Sequence, residues 1–379
     1  MPRLFIASGI FHPESGGPAT YLYELLPELQ QLGWDVRALS YGDTPAGGYP
    51  YPLARIPRRA LPVRLAAYAL AARPRLGWAD LVYIHSLDLP LFGSRRAPRV
   101  VKIVGDPGWE RAIRKGWIPP TEDIDAFQSR RYSPTVSIQQ DNRARQVRSM
   151  DGVIVPSAYL RNIVAGWGVD EAKIRVIYNA LPPEAAGSET PPTQAETRAR
   201  LGLDDGPLLL TAARLTPWKG VDHLITALCR VPDVRLLVAG DGDQLEALRA
   251  QARDGGVSGR VVFLGKVPRE QMALYMKAAD YLALYSGYEG LSHTLLESLR
   301  AGTPVIASDK GGNPEVVRHG VNGLLVPYIN VEALAAALAE AFRPGRRAEL
   351  AAQTGVGMER FDFRAMVAQT DAALRAYLG

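Results

Sequence analysis

The feature that most constrains this chain is a rhythm. Short apolar runs alternate with longer amphipathic stretches through the first half, stop once, and then resume. In the first series the candidate strands lie at 4–8, 34–40, 81–85, 100–104 and 152–155. The stretch 20–32 has a helical pattern and ends at Gly33, the residue type that closes helix C-termini. Between 181 and 206 the rhythm breaks into LPPEAAGSETPPTQAETRARLGLDDG, whose prolines, glycines and short polar residues mark a linker. Runs at 207–212, 234–239, 260–264, 281–285, 304–308 and 323–326 restart it. Strand–helix alternation implies βαβ units and a parallel sheet. Two such series predict an α/β chain of two Rossmann-like domains facing a central cleft, at 1–180 and 207–361. The tail 362–379 is amphipathic and reads as a helix crossing back to the first domain. A length of 379 residues also favours two domains over one.

Composition serves mainly to exclude. Hydrophobic residues make up 47% and charged residues 22%, so disorder, collagen and coiled coil are out. A single cysteine, Cys229, leaves no disulfide framework and no multi-cysteine metal or iron–sulfur site. No apolar run approaches the ~18 residues of a membrane span. The start, MPRLFIASGIFHPE, reads as a buried strand rather than a signal peptide, and a cytoplasmic protein is the expectation. The net charge of +5 is uneven: residues 1–180 carry +7 and the remainder −2. A basic domain suggests phosphates, an anionic membrane surface or nucleic acid, and charge alone does not choose.

Ligands of open α/β sheets bind at the carboxyl ends of strands, beside helix N-termini. Four segments fall there. Ser15-Gly16-Gly17-Pro18 precedes a helix, where glycine admits a close backbone approach and the helix end favours an anion. It is either such a site or an ordinary turn, and it lacks the G-x-G-x-x-G of dinucleotide binders. Arg214 and Lys219 follow the run at 207–212 and either clamp a diphosphate or are solvated surface cations. Asp241-Gly242-Asp243 has the form of a D-x-D metal site, but Asp243 reads better as the N-cap of the next helix. Glu289 and Glu297 lie eight residues apart around a helix beginning near Ser292. An all-helical spacing would separate them by about 12 Å, comparable to the span from ribose to sugar in a nucleotide sugar. One loop carboxylate plus one solvated helical glutamate is equally compatible with that spacing.

The segments ARLTPWKG, LLVAGDGDQLEAL, VVFLGKVPREQMALYMKAAD, YEGLSHTLLESLRAGTPVIAS and GGNPEVVRHGVNGLLV closely resemble the retaining GT-B glycosyltransferases of family 4. Glu289 and Glu297 match that family's E-x7-E motif. The first half resembles it more loosely, through FHPESGGPATY, LVYIHSLDLP and VVKIVGD, and the closing RFDFRAMV extends the likeness along nearly the whole chain. The resemblance implies that Arg214 and Lys219 bind the donor diphosphate. Glu297 would then accept hydrogen bonds from the ribose hydroxyls, and Glu289 would hold the transferred sugar near its C3 and C4 hydroxyls. The backbone of Leu291, Ser292, His293 and Thr294 would approach the sugar and pyrophosphate. Gly17 would let the first-domain loop approach the phosphates, and Lys266 and Val267 would hold the base. The family often places a histidine at the end of VVKIVGD, where this chain has Gly105 and Asp106. Asp106 is read either as the group replacing that histidine on the sugar or as a loop cap before Pro107. His85 reads as structural.

The implied activity is transfer of a hexose, with retention, from a UDP- or GDP-sugar to a hydroxyl acceptor such as a lipid-linked or polysaccharide precursor. The leaving phosphate would take the acceptor proton, and the two cations would make a metal unnecessary, so neither metal nor cofactor is expected. Rival readings are a sugar-nucleotide epimerase of the same fold and a nicotinamide dehydrogenase, the latter opposed by the missing G-x-G-x-x-G. A non-catalytic binder would use the basic stretch of Arg55, Arg58, Arg59, Arg64, Arg73 and Arg75 on anionic lipid, if that stretch is not simply a solvated face. The basic excess falls on the acceptor side. That points to an anionic or membrane-borne acceptor and a peripheral position at the inner membrane face, rather than to nucleic acid.

Overall fold

The computed structural model describes residues 1–14, 17–45, 47–93, 95–183 and 192–378. Its first sheet holds β1 (Arg3–Ala7), β2 (Asp35–Tyr41), β3 (Leu53–Ile56), β4 (Leu81–Ile84), β5 (Arg99–Lys102), β6 (Gly152–Val155) and β7 (Ile174–Val176). The order is β3-β2-β1-β4-β5-β6-β7, parallel throughout, with Leu4 standing between Val36 and Leu81. Strands β4 and β6 are buried along their whole length, which is why they read as continuous apolar runs. Edge strands β3 and β7 were not expected from the sequence. LARI is half-buried throughout and IRV has three residues, so neither offers a run or an alternation to detect.

Helices α1 (Gly17–Gln31), α2 (Leu61–Trp78) and α3 (Pro107–Arg114) belong to this sheet's connections. One face of the sheet buries Leu4, Ile6, Tyr83 and Val100 with Leu22 and Leu25 of α1. The other buries Phe5, Val82 and Val101 with Tyr68 and Leu76 of α2. The second sheet holds β8 (Leu208–Ala212), β9 (Arg235–Ala239), β10 (Val261–Gly265), β11 (Tyr281–Leu284), β12 (Val305–Ser308) and β13 (Gly323–Val326). Its order is β10-β9-β8-β11-β12-β13, again parallel.

The chain divides into two compact units. One comprises Met1–Ile118, Asp125–Pro182 and Phe361–Gly379, and the other Pro119–Ile124 and Pro183–Arg360. The tail helix Phe363–Arg375 lies on the first unit, where Trp34 Nε1 donates to Asp371 Oδ1 at 2.6 Å and Arg375 Nη2 to the Leu32 carbonyl at 2.7 Å. Two expectations need correcting. Residues 181–206 are not all linker: Gln194–Leu201 is a helix of the second unit, opened by a Thr193–Glu196 capping box and closed by left-handed Gly202. Arg198 fastens it, donating to Asp280 Oδ2 at 3.0 Å and to the Ala278 carbonyl at 2.8 Å. Residues 184–191 of the expected linker lie outside the described residues. The second correction is that Pro119–Ile124, expected in the first domain, belongs to the second unit.

Each sheet reverses its direction of growth once, between β1 and β4 in the first and between β8 and β11 in the second. The loops leaving neighbouring strands at such a point diverge and open a crevice at their carboxyl ends. Arg214 and Lys219 lie on the loop after β8, and Glu289 lies on the loop after β11.

Candidate functional site

The loop after β8 is pressed onto the loop after β11. Gly220 sits at φ 65°, and a Cβ there would come 2.0 Å from the Tyr285 carbonyl oxygen, so only glycine fits. The Gly287 amide donates to the Trp218 carbonyl at 2.7 Å. This approach brings Lys219 Nζ to 2.5 Å from Glu289 Oε1, with both side chains 14% exposed. The Glu289 segment is held from its other side, where the Gly312 amide donates to the Glu289 carbonyl at 2.8 Å. A Cβ on Gly312 would stand 2.4 Å from the Gly290 carbonyl oxygen. The Tyr328 ring closes against Gly287, where an added Cβ would meet it at 2.6 Å. Arg214 is exposed on the same β8 loop.

The helix His293–Arg300 begins directly after the Glu289 segment. Ser292 is its N-cap, its Oγ accepting from the Leu295 amide at 3.3 Å. The amides of His293 and Thr294 therefore have no intrahelical acceptor and mark an anion-favouring helix end. Glu297 lies one turn inside, and burial raises its carboxyl pKa while Arg269 and Arg300 oppose the rise. A partly buried carboxylate gains from a ligand hydroxyl that donates to it. Glu289 is outside the helix, so the all-helical separation considered from spacing does not apply.

Lys266 and Val267 follow β10 at the same carboxyl edge, two strands from β8. Lys266 Nζ lies 3.6 Å from Asp241 Oδ2, on the exposed side of the β9 loop. Asp243 is not the N-cap it was expected to be. The next helix starts at Leu245 without a side-chain cap, because the loop is tied to the β8 loop by Gln244 N donating to the Leu215 carbonyl at 3.1 Å. Among the described residues no cluster of three or more His, Cys, Asp or Glu is arranged to hold a metal.

In the first unit, Gly17 opens α1 and is exposed, with open space where a Cβ would stand. Ser15 and Gly16, singled out with it, lie outside the described residues. Asp106 is not a group presented to a sugar. It is 0% exposed and caps α3, its Oδ1 accepting from the Gly108 and Trp109 amides at 3.0 and 3.2 Å. Its Oδ2 accepts from Gln128 Nε2 at 3.0 Å and pairs with Arg143 Nη1. Both oxygens are thus used inside the domain. His85 is buried after β4 beside Tyr83, at 4.2 Å between ring centroids, and burial followed by nearby Lys102 depresses its pKa. The glycines at 220, 287 and 312 and the Tyr328 ring were missed as parts of the site. Glycine beside each strand end was the available signal, but only packing shows which approach needs it.

Two family models match the chain. One described as "Glycosyl transferases group 1" covers residues 193–355, and one described as "Glycosyltransferase Family 4" covers residues 15–185. A GDP-mannose-dependent alpha-(1-6)-phosphatidylinositol monomannoside mannosyltransferase of Mycolicibacterium smegmatis is 37% identical over 169 residues, 42% of this chain and 44% of that protein. An alpha-monoglucosyldiacylglycerol synthase of Streptococcus pneumoniae is 37% identical over 177 residues, 44% of this chain and 39% of that protein. The chain thus spans less than half the length of each of these relatives. Among solved structures, sucrose-phosphate synthase from Thermosynechococcus elongatus superposes with a TM-score of 0.78 at 22% identity, covering 99% of both chains. That likeness is one of fold.

Proposed function

Because the chain belongs to the glycosyltransferases of family 4 and has their GT-B fold, we propose that it moves a hexose, with retention, from a nucleoside-diphosphate sugar to a hydroxyl acceptor. The observation that carries this reading is the grouping at the β8/β11 switch point: the Lys219–Glu289 pair, exposed Arg214, and the Ser292-capped helix end with Glu297 one turn in. Cleaving the sugar–phosphate bond leaves an oxocarbenium-like sugar and an anionic diphosphate. Arg214, Lys219 and the His293 and Thr294 amides stabilise the diphosphate as its charge develops. Glu297 accepts hydrogen bonds from the ribose, and Glu289, with the Leu291–Ser292 backbone, orients the sugar. Lys266 and Val267 hold the base. The leaving phosphate accepts the proton of the attacking hydroxyl, so no side-chain base is required.

A GDP-hexose is the favoured donor, supported by the printed name of the mycobacterial relative, with a UDP-hexose next. One of these relatives is named for a phosphatidylinositol monomannoside and the other for making a glucosyldiacylglycerol, and the +7 charge of residues 1–180 suits an anionic or membrane-borne acceptor. The test is thermal shift and turnover against a panel of GDP-, UDP-, ADP- and TDP-sugars, with and without EDTA. One donor should raise the melting temperature, be consumed in EDTA, and yield a product of unchanged anomeric configuration by NMR. Abolition of turnover by EDTA would sink the metal-independent mechanism. An inverted anomer would sink the retaining one, and a donor isomerised without any acceptor would favour an epimerase.

A further inference from the structure

The last residue of β5 is a lysine in a place where a lysine is costly. Lys102 is 3% exposed and stands on the same sheet face as Val100, against α1. Its Nζ lies 3.4 Å from the centroid of the Tyr21 ring, so the amine rests on an aromatic face. His85, directly after β4 and 5% exposed, lies beside the same ring, with centroids 5.6 Å apart, and meets the Tyr83 ring at 4.2 Å. Neither Lys102 Nζ nor His85 Nε2 has a hydrogen-bond partner among the described residues. Two basic nitrogens are thus left unused beside one buried tyrosine.

The neighbouring hydroxyls are already committed. Thr370 Oγ1 donates to the Met366 carbonyl at 2.8 Å, which leaves it to accept from Tyr21 Oη at 3.4 Å, and Tyr21 Oη in turn to accept from Tyr83 Oη at 3.5 Å. No carboxylate balances the two bases. Burial lowers the pKa of the lysine, and burial followed by the Lys102 charge lowers that of the histidine. The other titratable groups facing the pair are Tyr21 from α1 and Tyr83 from β4, while β6 contributes Ile154 and the tail helix Thr370. Asp371, next to Thr370, is spent on Trp34 and Arg375. A buried ammonium without a partner either loses its proton or takes a counterion. The Tyr21 face favours the charged form, so the counterion is the outcome that uses this geometry.

The pair lies at the carboxyl ends of β4 and β5, beside the loops that part where the first sheet reverses its growth. The His85 amide donates to the Ala7 carbonyl at 2.8 Å, and Ser86 Oγ accepts from the Gly9 amide at 2.9 Å, so these residues tie the loop after β4 to the loop after β1. We propose that Lys102 and His85 bind a small monovalent anion, a halide or a carboxylate the size of formate, inside the first unit. The anion accepts from Lys102 Nζ and from His85 Nε2–H, balances the lysine charge, and steadies the β1 and β4 loops. A site this enclosed favours an anion of one or a few atoms over phosphate or sulfate. It uses none of the residues read above as donor-binding, and it goes beyond the transferase reading without resting on it.

The test is thermal unfolding of the full chain in sodium gluconate, chloride, formate or sulfate at constant ionic strength. At a hundredfold excess over its dissociation constant, chloride or formate should raise the wild-type melting temperature by about 5–10 °C over gluconate. The larger of the two shifts identifies the anion. Lys102→Met should start more stable in gluconate and gain nothing from either anion, whereas His85→Gln, which keeps a donor, should gain less than the wild type. Sulfate, which stabilises by exclusion from protein surface, should act alike on all three proteins. Affinity for the anion should rise as pH falls from about 9 to about 6, because the complex holds a proton that the free site gives up. In wild-type crystals soaked with bromide, anomalous density should mark an atom in contact with Lys102 Nζ and His85 Nε2. A chloride or formate shift that is absent from the wild type, or equal in wild type and Lys102→Met, overturns the proposal. So does an affinity that does not change with pH, or a bromide soak without anomalous density at the pair. The nucleotide-sugar thermal shift should be the same with and without the anion, so failure of either test leaves the other reading standing.

Discussion

Asp106 separates a structural from a catalytic account most sharply. Its Oδ1 accepts from the Gly108 and Trp109 amides and its Oδ2 from Gln128 and Arg143, in a site with 0% exposure. Arg143 is buried as well, its guanidinium 4.2 Å over the Trp167 ring. Replacing Asp106 by Ala removes an N-cap, worth about 1 kcal/mol. It also strands a buried guanidinium, and breaking such a pair costs about 3–5 kcal/mol. The two losses share an atom group and do not simply add, so about 4 kcal/mol is expected. At about 2–4 °C per kcal/mol for a domain of this size, the first unit should melt about 8–16 °C lower. Asp106→Asn keeps a capping oxygen and should lose about 1 kcal/mol less. Asp106→Ala with Arg143→Met removes both charges and should recover most of the loss, since an apolar pair can replace a buried ionic one. The assay is thermal unfolding by circular dichroism, paired with kcat and KM measured well below the transition. A variant that keeps its melting temperature but loses turnover a hundredfold would refute this reasoning and return Asp106 to the reacting sugar.

Two further outcomes follow from the packing. Lys102 is buried at the end of β5, its Nζ 3.4 Å from the Tyr21 ring centroid and without a hydrogen-bond acceptor among the described residues, with His85 and Tyr83 nearby. Burial drives its pKa down, so the unfolded chain binds a proton that the folded chain lacks from about pH 10.4 down to the folded value. Stability from this residue is therefore fullest above about pH 10.4 and is lost as pH falls. Lys102→Met should stabilise by about 1–3 kcal/mol at pH 7, with the gain shrinking towards pH 10, as read by urea unfolding at both pH values; an unchanged midpoint would contradict it. Gly220→Ala forces a Cβ to within 2.0 Å of the Tyr285 carbonyl and must displace one of the two switch-point loops. Donor KM should rise at least about tenfold, the equivalent of 1.4 kcal/mol, and a wild-type KM would show that the loops are not the donor site.

Much of the fold is legible in the amino-acid sequence, for a physical reason. Central parallel strands are buried on both faces and so are written as apolar runs, as VYI in β4 and GVIV in β6 show. Edge strands β3 and β7 lack that imprint. The helix Gln194–Leu201 did have a local signature, the Thr193–Glu196 box with Gly202 behind it, but the surrounding prolines suggested a linker instead. The candidates Lys219, Glu289 and Glu297 stood out by type and by their place near strand ends, with a solvated reading left open for each. What they touch was not legible. The Lys219–Glu289 pair joins residues 70 apart and depends on a loop–loop approach set by Gly220 and Gly287. Asp106 was ambiguous because its decisive partner, Arg143, lies 37 residues away.

The central claim is that the β8/β11 switch point binds a nucleoside-diphosphate sugar, with Glu297 on the ribose. Isothermal titration calorimetry of the preferred donor, or of its nucleoside diphosphate, onto wild type and Glu297→Ala in EDTA tests it directly. Hydrogen bonds to a charged group are worth about 1.5–3 kcal/mol, so the variant should bind roughly 10- to 150-fold more weakly at an unchanged melting temperature. Wild-type affinity in Glu297→Ala, or no binding of any nucleotide sugar by the wild type, would contradict the account.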